Sequence, residues 1–230
     1  MLKRSLSANK IISILVLFTV CLFVVYGCSE NNEKGNKDEG VTFTDALGRN
    51  VTVKHNPERT AALLGSFADV WALSGGKVCA TAQEAWEDFD LDLEDAVNLG
   101  GAHSPSLEAL IASNPDFVLA SASTSSNVEM KETLENSGIT VAYFDVDNFN
   151  DYLDMLKICT DITGRNDLYE QNGLEVQSKT EKIKEEFKNA EIPEKERTVL
   201  MIRTSSSSVK AKGSEGTVLG EMLADLGCIN

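Results

Sequence analysis

Histidine is nearly missing from this chain. Only His55 and His103 occur among 230 residues, so a zinc or manganese site built from several imidazoles is not expected. No C-x-x-C pair occurs. There is no G-x-S-x-G elbow and no histidine after His103, which excludes the nucleophile triad of an α/β hydrolase. Neither a P-loop nor a G-x-G-x-x-G turn is found. Positive charge is scarce too: 21 Lys and Arg stand against 36 Asp and Glu, a formal net charge of −15. Such a surface repels nucleic acid and anionic headgroups. We therefore expect no catalytic residue, no resident metal or cofactor, and no nucleic-acid partner.

Long apolar runs are confined to one place. Lys3, Arg4 and Lys10 precede an almost unbroken run from Ile11 to Val25, and Val25-Tyr26-Gly27-Cys28 ends it. This is the order of a secretory signal. A spanning helix needs about 20 apolar residues, and this run is shorter. A Cys directly after a small residue resembles the lipobox of bacterial lipoproteins, which implies that Cys28 is acylated and becomes the new N-terminus. Residues 1–27 then leave with three positive charges and no acid, so the net charge goes from −15 to −18. The polar segment 28–40 has too little apolar surface to fold and reads as a flexible tether. Cys79, Cys159 and Cys228 remain, an odd and widely spaced set that reads as buried free thiols, with one bridge as the alternative.

Beyond the tether the pattern is that of strand–helix units. Val41-Thr42-Phe43-Thr44 and Val51-Thr52-Val53 predict a hairpin. Thr60 to Leu64 predicts a strand, followed by a helix to Leu73 capped by Ser66 and ended by Gly75-Gly76. Trp71 lies on that helix with Phe67 and is expected in the core. Val78 to Thr81 predicts a strand, then an irregular acidic stretch from Gln83 to Ala96. Ser106 caps a helix whose buried face is Leu107, Leu110 and Ile111. A strand at 117–120, a helix at 128–137, a strand at 139–144 and a helix at 149–163 follow. Such alternation predicts α/β architecture with a parallel sheet covered on both faces.

From Asp167 to about Asn189 the spacing of Leu168, Val176, Ile183 and Phe187 predicts one helix roughly 35 Å long, weakened but not ended by Gly173. After Pro193 come a strand at 198–202, a Ser-rich loop and a helix at 218–226. One strand and one helix cannot close a second parallel lobe, so that lobe is expected to be truncated.

These segments resemble the extracytoplasmic substrate-binding proteins of ABC importers for iron–siderophores, haem and cobalamin. The resemblance rests on Thr44-Asp45-Ala46-Leu47-Gly48-Arg49 with Val51-Thr52-Val53, and on Pro57-Glu58-Arg59. It rests further on Ser106-Leu107-Glu108-Ala109-Leu110, on Asn114 to Ala120, on the long helix, and on Gly216 to Leu223. It implies a parallel-sheet N-terminal lobe (41–166), a long rigid interlobe helix (167–192) and the start of a second α/β lobe (193–230). It also implies a monomer, held to the outer face of the cell membrane by lipid, that delivers a small metal chelate to a permease and its ATPase. By the same resemblance, Glu108 and Glu221 are the acids that dock the permease; the plain reading is that both are solvated helix-start carboxylates.

Ligands of parallel sheets meet the loops after the carboxyl ends of strands. The candidates there are Ser66, Phe67, Trp86, Ser121, Ser123 and Arg203. Trp86 could stack on a flat ligand or simply anchor its loop, and Arg203 could pair with an anionic siderophore or form a surface pair. A haem-ligand role for His103 is the weaker reading. Ferric siderophore leads as ligand, with cobalamin and haem behind it. The rival function is a lipid-anchored sensor or interaction protein that keeps the fold without transport.

Overall fold

Side-chain alternation along the strands decides which layer each residue enters. The computed structural model describes residues 40–204 and 207–230; the signal, Cys28 and the tether up to 39 lie outside them, as do Ser205 and Ser206. Strands β1 (Val41–Thr44) and β2 (Asn50–Val53) form the expected antiparallel hairpin. The main sheet is built from β3 (Thr60–Ala62), β4 (Val78–Thr81), β5 (Val97–Asn98), β6 (Phe117–Ser121) and β7 (Thr140–Phe144). All its pairings are parallel, in the order β5-β4-β3-β6-β7. Phe117 and Leu119 of β6, with Ala142 and Phe144 of β7, join one buried cluster. Val118 and Ala120, with Val141 and Tyr143, join a second. A period of two thus sends successive residues to opposite faces.

The first cluster is covered by α1 (Gly65–Leu73) and α6 (Phe149–Thr163), which supply Phe67, Trp71, Met155, Leu156, Cys159 and Ile162. Trp71 is 2% exposed, packs edge-on against Phe117, and donates its indole N–H to the carbonyl of Lys77 at 3.1 Å. Burying a side chain of that size stabilises the fold by about 3 kcal/mol, and it is the core residue the sequence predicts. The second cluster is covered by α3 (Leu107–Ala112) and α5 (Lys131–Asn136), through Leu110 and Leu134. Ser106 caps α3 as expected, accepting from the Ala109 amide.

Several expectations need correction. Ser66 is not a cap: α1 begins at Gly65, with Leu64 at the cap position and no side-chain cap bond. Gly65 lets the α1 start approach the backbone of residues 84–85, because a Cβ there would lie 2.7 Å from the Ala85 nitrogen. The acidic stretch is not wholly irregular, since Glu84–Asp88 forms a short α2. Ile111 is exposed, because a six-residue helix presents only a narrow face to the sheet. The helix expected at 128–137 begins earlier and is split into α4 (Ser125–Glu129) and α5.

The long helix is one path with a wider turn inside it. Residues Asn166–Tyr169 form α7, Glu170–Leu174 a π-turn, and Glu175–Asn189 α8. The π-turn has identifiable ties. Tyr152 donates its hydroxyl to the Asn172 carbonyl at 2.8 Å, and the Asn172 amide donates to the carbonyl of Leu73 at 2.8 Å. Gly173 fits there because a Cβ would press on Tyr169 and Leu153. No residue of α8 is buried, so Val176 and Ile183 are exposed rather than packed.

After Pro193 the expected lone strand has a partner after all. Strands β8 (Met201–Thr204) and β9 (Val209–Lys212) pair antiparallel, while Thr198 bridges to Ile229. Helix α9 (Val218–Asp225) follows, capped by Thr217. Among the described residues no helix is long and apolar enough to cross a membrane.

Candidate functional site

The strand order reverses between β3 and β6, because the chain winds from β3 outward to β4 and β5 and then returns to the other side. Loops diverging from such a switch point leave a crevice at the carboxyl ends of the strands. A cavity of about 420 Å³ lies there. The segment after β3 supplies Leu64, and α1 continues the wall with Ser66, Phe67, Asp69 and Val70. Ser121 and Ser123 come from the end of β6, Val146 and Asn148 from the segment after β7. Phe149, Tyr152 and Met155 come from α6, and Phe89, Val218 and Met222 complete the lining.

Local hydrogen bonds hold these pieces. Asn127, fully buried, accepts from the Ser121 amide at 3.0 Å, and its own carbonyl accepts from the Tyr143 hydroxyl at 2.9 Å. The Ser121 and Ser123 hydroxyls are 3.0 Å apart, and the Ser123 amide donates to Ser121 Oγ. Asn148 is spent on capping α6, where it accepts from the amides of Asn150 and Asp151. Phe149 stacks on Tyr152 with ring centroids 5.7 Å apart. The result is a largely apolar wall that includes four aromatic rings and few free polar groups, the general character of a small-molecule site.

Asp69 is the one carboxylate in that lining. Burial raises its pKa above the ordinary carboxylate value. Burial also raises that of Tyr152, and the charge of Asp69 adds to the effect, so the two groups sense each other. Among the described residues Asp69 has no hydrogen-bond or ion-pair partner.

Of the candidates read from sequence, Ser66, Phe67, Ser121 and Ser123 meet in this cavity. Trp86 and Arg203 do not line it. Trp86 sits on α2 and is 37% exposed; Arg203 lies on β8 in a separate groove with Met201, Ile202, Lys212, Thr217 and Leu219. Glu108 is exposed in the first turn of α3. Glu221, in the first turn of α9, is half-buried in a cleft with Phe149, Gln177, Glu181, Lys184 and Asp225. Neither forms an ion pair among the described residues. Cys79, Cys159 and Cys228 are free, and no group of acids, cysteines and histidines there could hold a metal. His55 and His103 are both exposed, and neither lines the cavity.

Sequence reasoning missed Asp69, Phe89, Tyr152, Met222 and the anchoring Asn127. Asp69 reads as an ordinary helix-start acid until the fold turns it toward the crevice. Asn127 sits one residue before an expected helix and shows its role only through Ser121.

The fold has many counterparts among solved structures. The siderophore-binding protein BauB, bound to two acinetobactin molecules and ferric iron, aligns with a TM-score of 0.68 at 19% identity, over 83% of this chain and 67% of that one. Staphylococcus aureus SirA, complexed with staphyloferrin B, aligns at 0.65 and 19% over 83% and 64%. The periplasmic haem-binding protein RhuT from Roseiflexus sp. RS-1, in apo form, aligns at 0.62 and 17% over 75% and 65%. The chain thus spans about two thirds of the length of these structures. No curated protein sequence matches it. The family model described as periplasmic binding protein matches residues 61–230, nearly all of the described structure. The chain belongs to the periplasmic binding protein family.

Proposed function

We propose that this protein is the lipid-anchored, extracytoplasmic binding component of an ABC importer, and that its ligand is a metal chelate of siderophore type. The observation that carries this reading is the aromatic-lined cavity at the switch point between β3 and β6, where Ser66, Phe67, Ser121 and Ser123 converge. Solved structures of the same fold include BauB with acinetobactin and ferric iron, the ferric-siderophore receptor DesE, and a haem-binding protein. Haem and cobalamin are the alternative ligands. A basic start, an apolar run and Cys28 support secretion and acylation, and the polar segment that follows supports a tether. Tethering raises the local concentration of the carrier near its permease.

Glu108 and Glu221 are the proposed docking acids. Both stand in the first turn of a capped helix. Separated surface charges set register and encounter rate more than affinity. Reversing Glu108, which lines neither the cavity nor its neighbouring cleft, by Glu108→Arg should leave calorimetric affinity for a ferric siderophore unchanged and abolish its uptake by cells. Unimpaired uptake would remove the docking assignment. A wild-type chain that binds no ferric siderophore, haem or cobalamin in the same calorimeter would remove the transport reading.

A further inference from the structure

Tyr152 serves two places at once. It lines the cavity beside Phe149, on which its ring stacks with centroids 5.7 Å apart. Its hydroxyl donates to the Asn172 carbonyl at 2.8 Å, inside the π-turn, and no residue of that turn lines the cavity. Burial raises the Tyr152 pKa and the charge of Asp69 adds to the effect, so the hydroxyl keeps its proton and stays a donor through the neutral range. The same turn is tied to a second part of the wall. The Asn172 side-chain amide donates to the carbonyl of Leu73, the last residue of α1, and α1 carries Ser66, Phe67, Asp69 and Val70 into the lining. Such wide turns are rare and mark places where a helix departs from its preferred bonding. Here the departure coincides with both ties and with Gly173, where a Cβ would lie 3.2 Å from the Tyr169 ring and 3.3 Å from Leu153. Gly173 is buried, whereas no residue of α8 is. The π-turn is therefore the last stretch of the long helical path that the sheet lobe grips, and α8 leaves from it.

These contacts form one chain: Phe149 on the Tyr152 ring, the Tyr152 hydroxyl on Asn172, and Asn172 on the end of α1. A hydrogen bond constrains both of its partners, so whatever orders the ring orders the turn, and the reverse coupling has the same size. We infer that the π-turn is a positioning element of the cavity, with Asn172 holding the Tyr152 ring in the wall, and that a ligand seated against this ring tightens the turn from which α8 departs. The inference rests on the reading that ligand enters this crevice. It concerns one wall and holds whatever else borders the ligand.

Amide exchange of the full chain across residues 170–174 tests the coupling without any ligand. Tyr152→Phe keeps the ring, removes the hydroxyl bond and should speed exchange there about fivefold. Phe149→Ala removes a ring that borders the cavity and its neighbouring cleft, neither of which any residue of the turn lines. It should nevertheless speed exchange at 170–174 about threefold. In the double variant the Phe149 substitution should add nothing, because the link through the hydroxyl is already gone. Exchange in β6 and β7 controls for general loosening, and Phe149→Leu takes the place of the alanine variant if that control moves. Additive effects, or a turn that ignores Phe149, overturn the coupling. A second arm adds ferrioxamine B, ferric enterobactin, haem or cobalamin at saturation, using each probe that gives heat in a calorimeter. Exchange at 170–174 should then slow about threefold in the parent and stay unchanged in Tyr152→Phe. Equal slowing in both proteins, or none in the parent, overturns the ligand's part. Heat from none of the four probes removes the capture reading and the ligand step with it, while the cycle of variants still decides how the ring is held.

Discussion

Arg49 shows how one side chain can tie three elements together. Its guanidinium forms two bonds to the Asp45 carboxylate, pairs with Glu135 of α5, donates to the Val141 carbonyl of β7 at 3.0 Å and lies over the Tyr143 ring. Asp45 is buried, which alone would raise its pKa. Hydrogen bonds from the Arg49 side chain and from the Arg49 and Tyr143 amides outweigh burial, so the carboxyl titrates below its ordinary value. A group with a depressed folded pKa contributes stability above its unfolded value, and that contribution fades as pH falls through the folded one. Arg49→Ala should therefore cost about 2 kcal/mol at neutral pH, since it leaves a buried carboxylate without its charge partner. Urea unfolding should show this cost, and the gap between variant and parent should shrink below about pH 4. An unchanged midpoint at neutral pH would count against the tie. Residues of this kind were only partly legible. Trp71 and Ser106 follow from local rules of burial and capping. The Arg49 network joins residues as far as 98 positions apart, and no local pattern announces it.

At the scale of elements, legibility tracked length and boundaries. Helix α6 runs from Phe149 to Thr163 as its periodicity predicts, with an Asn148 capping box and a left-handed Gly164 closing it. Short elements were harder, because α2 and α4 hold five residues each and offer too little periodicity to separate from a loop. The β8–β9 hairpin was missed because the serines between its strands read as a loop, whereas pairing depends on contacts across it. The π-turn was anticipated only as a weakness at Gly173. Its cause is tertiary, a demand from Tyr152 of α6 and Leu73 of α1 for partners at Asn172. Asn172→Ala removes the bond to the Leu73 carbonyl, so a loss of about 1 kcal/mol is expected. Amide exchange across residues 170–174 should speed up more than exchange in α8. Unaltered exchange in that turn would mean that the wider turn stands without this bond.

At the scale of the molecule, the parallel sheet and its two covered faces were readable from alternation and spacing, and four of the candidates named from sequence, Ser66, Phe67, Ser121 and Ser123, do converge on one crevice. The rest of the site was not readable, because Phe89, Tyr152 and Met222 arrive from segments that only the fold brings together. The central claim is that this crevice captures the ligand. Amide chemical-shift mapping with a diamagnetic gallium siderophore chelate tests it most directly. Shifts should concentrate on residues 64–70, 121–123, 146–152 and 218–222, with Trp86 and Arg203 little affected. Shifts centred on the β8–β9 groove or on the exposed face of α8, with those four segments silent, would contradict the account.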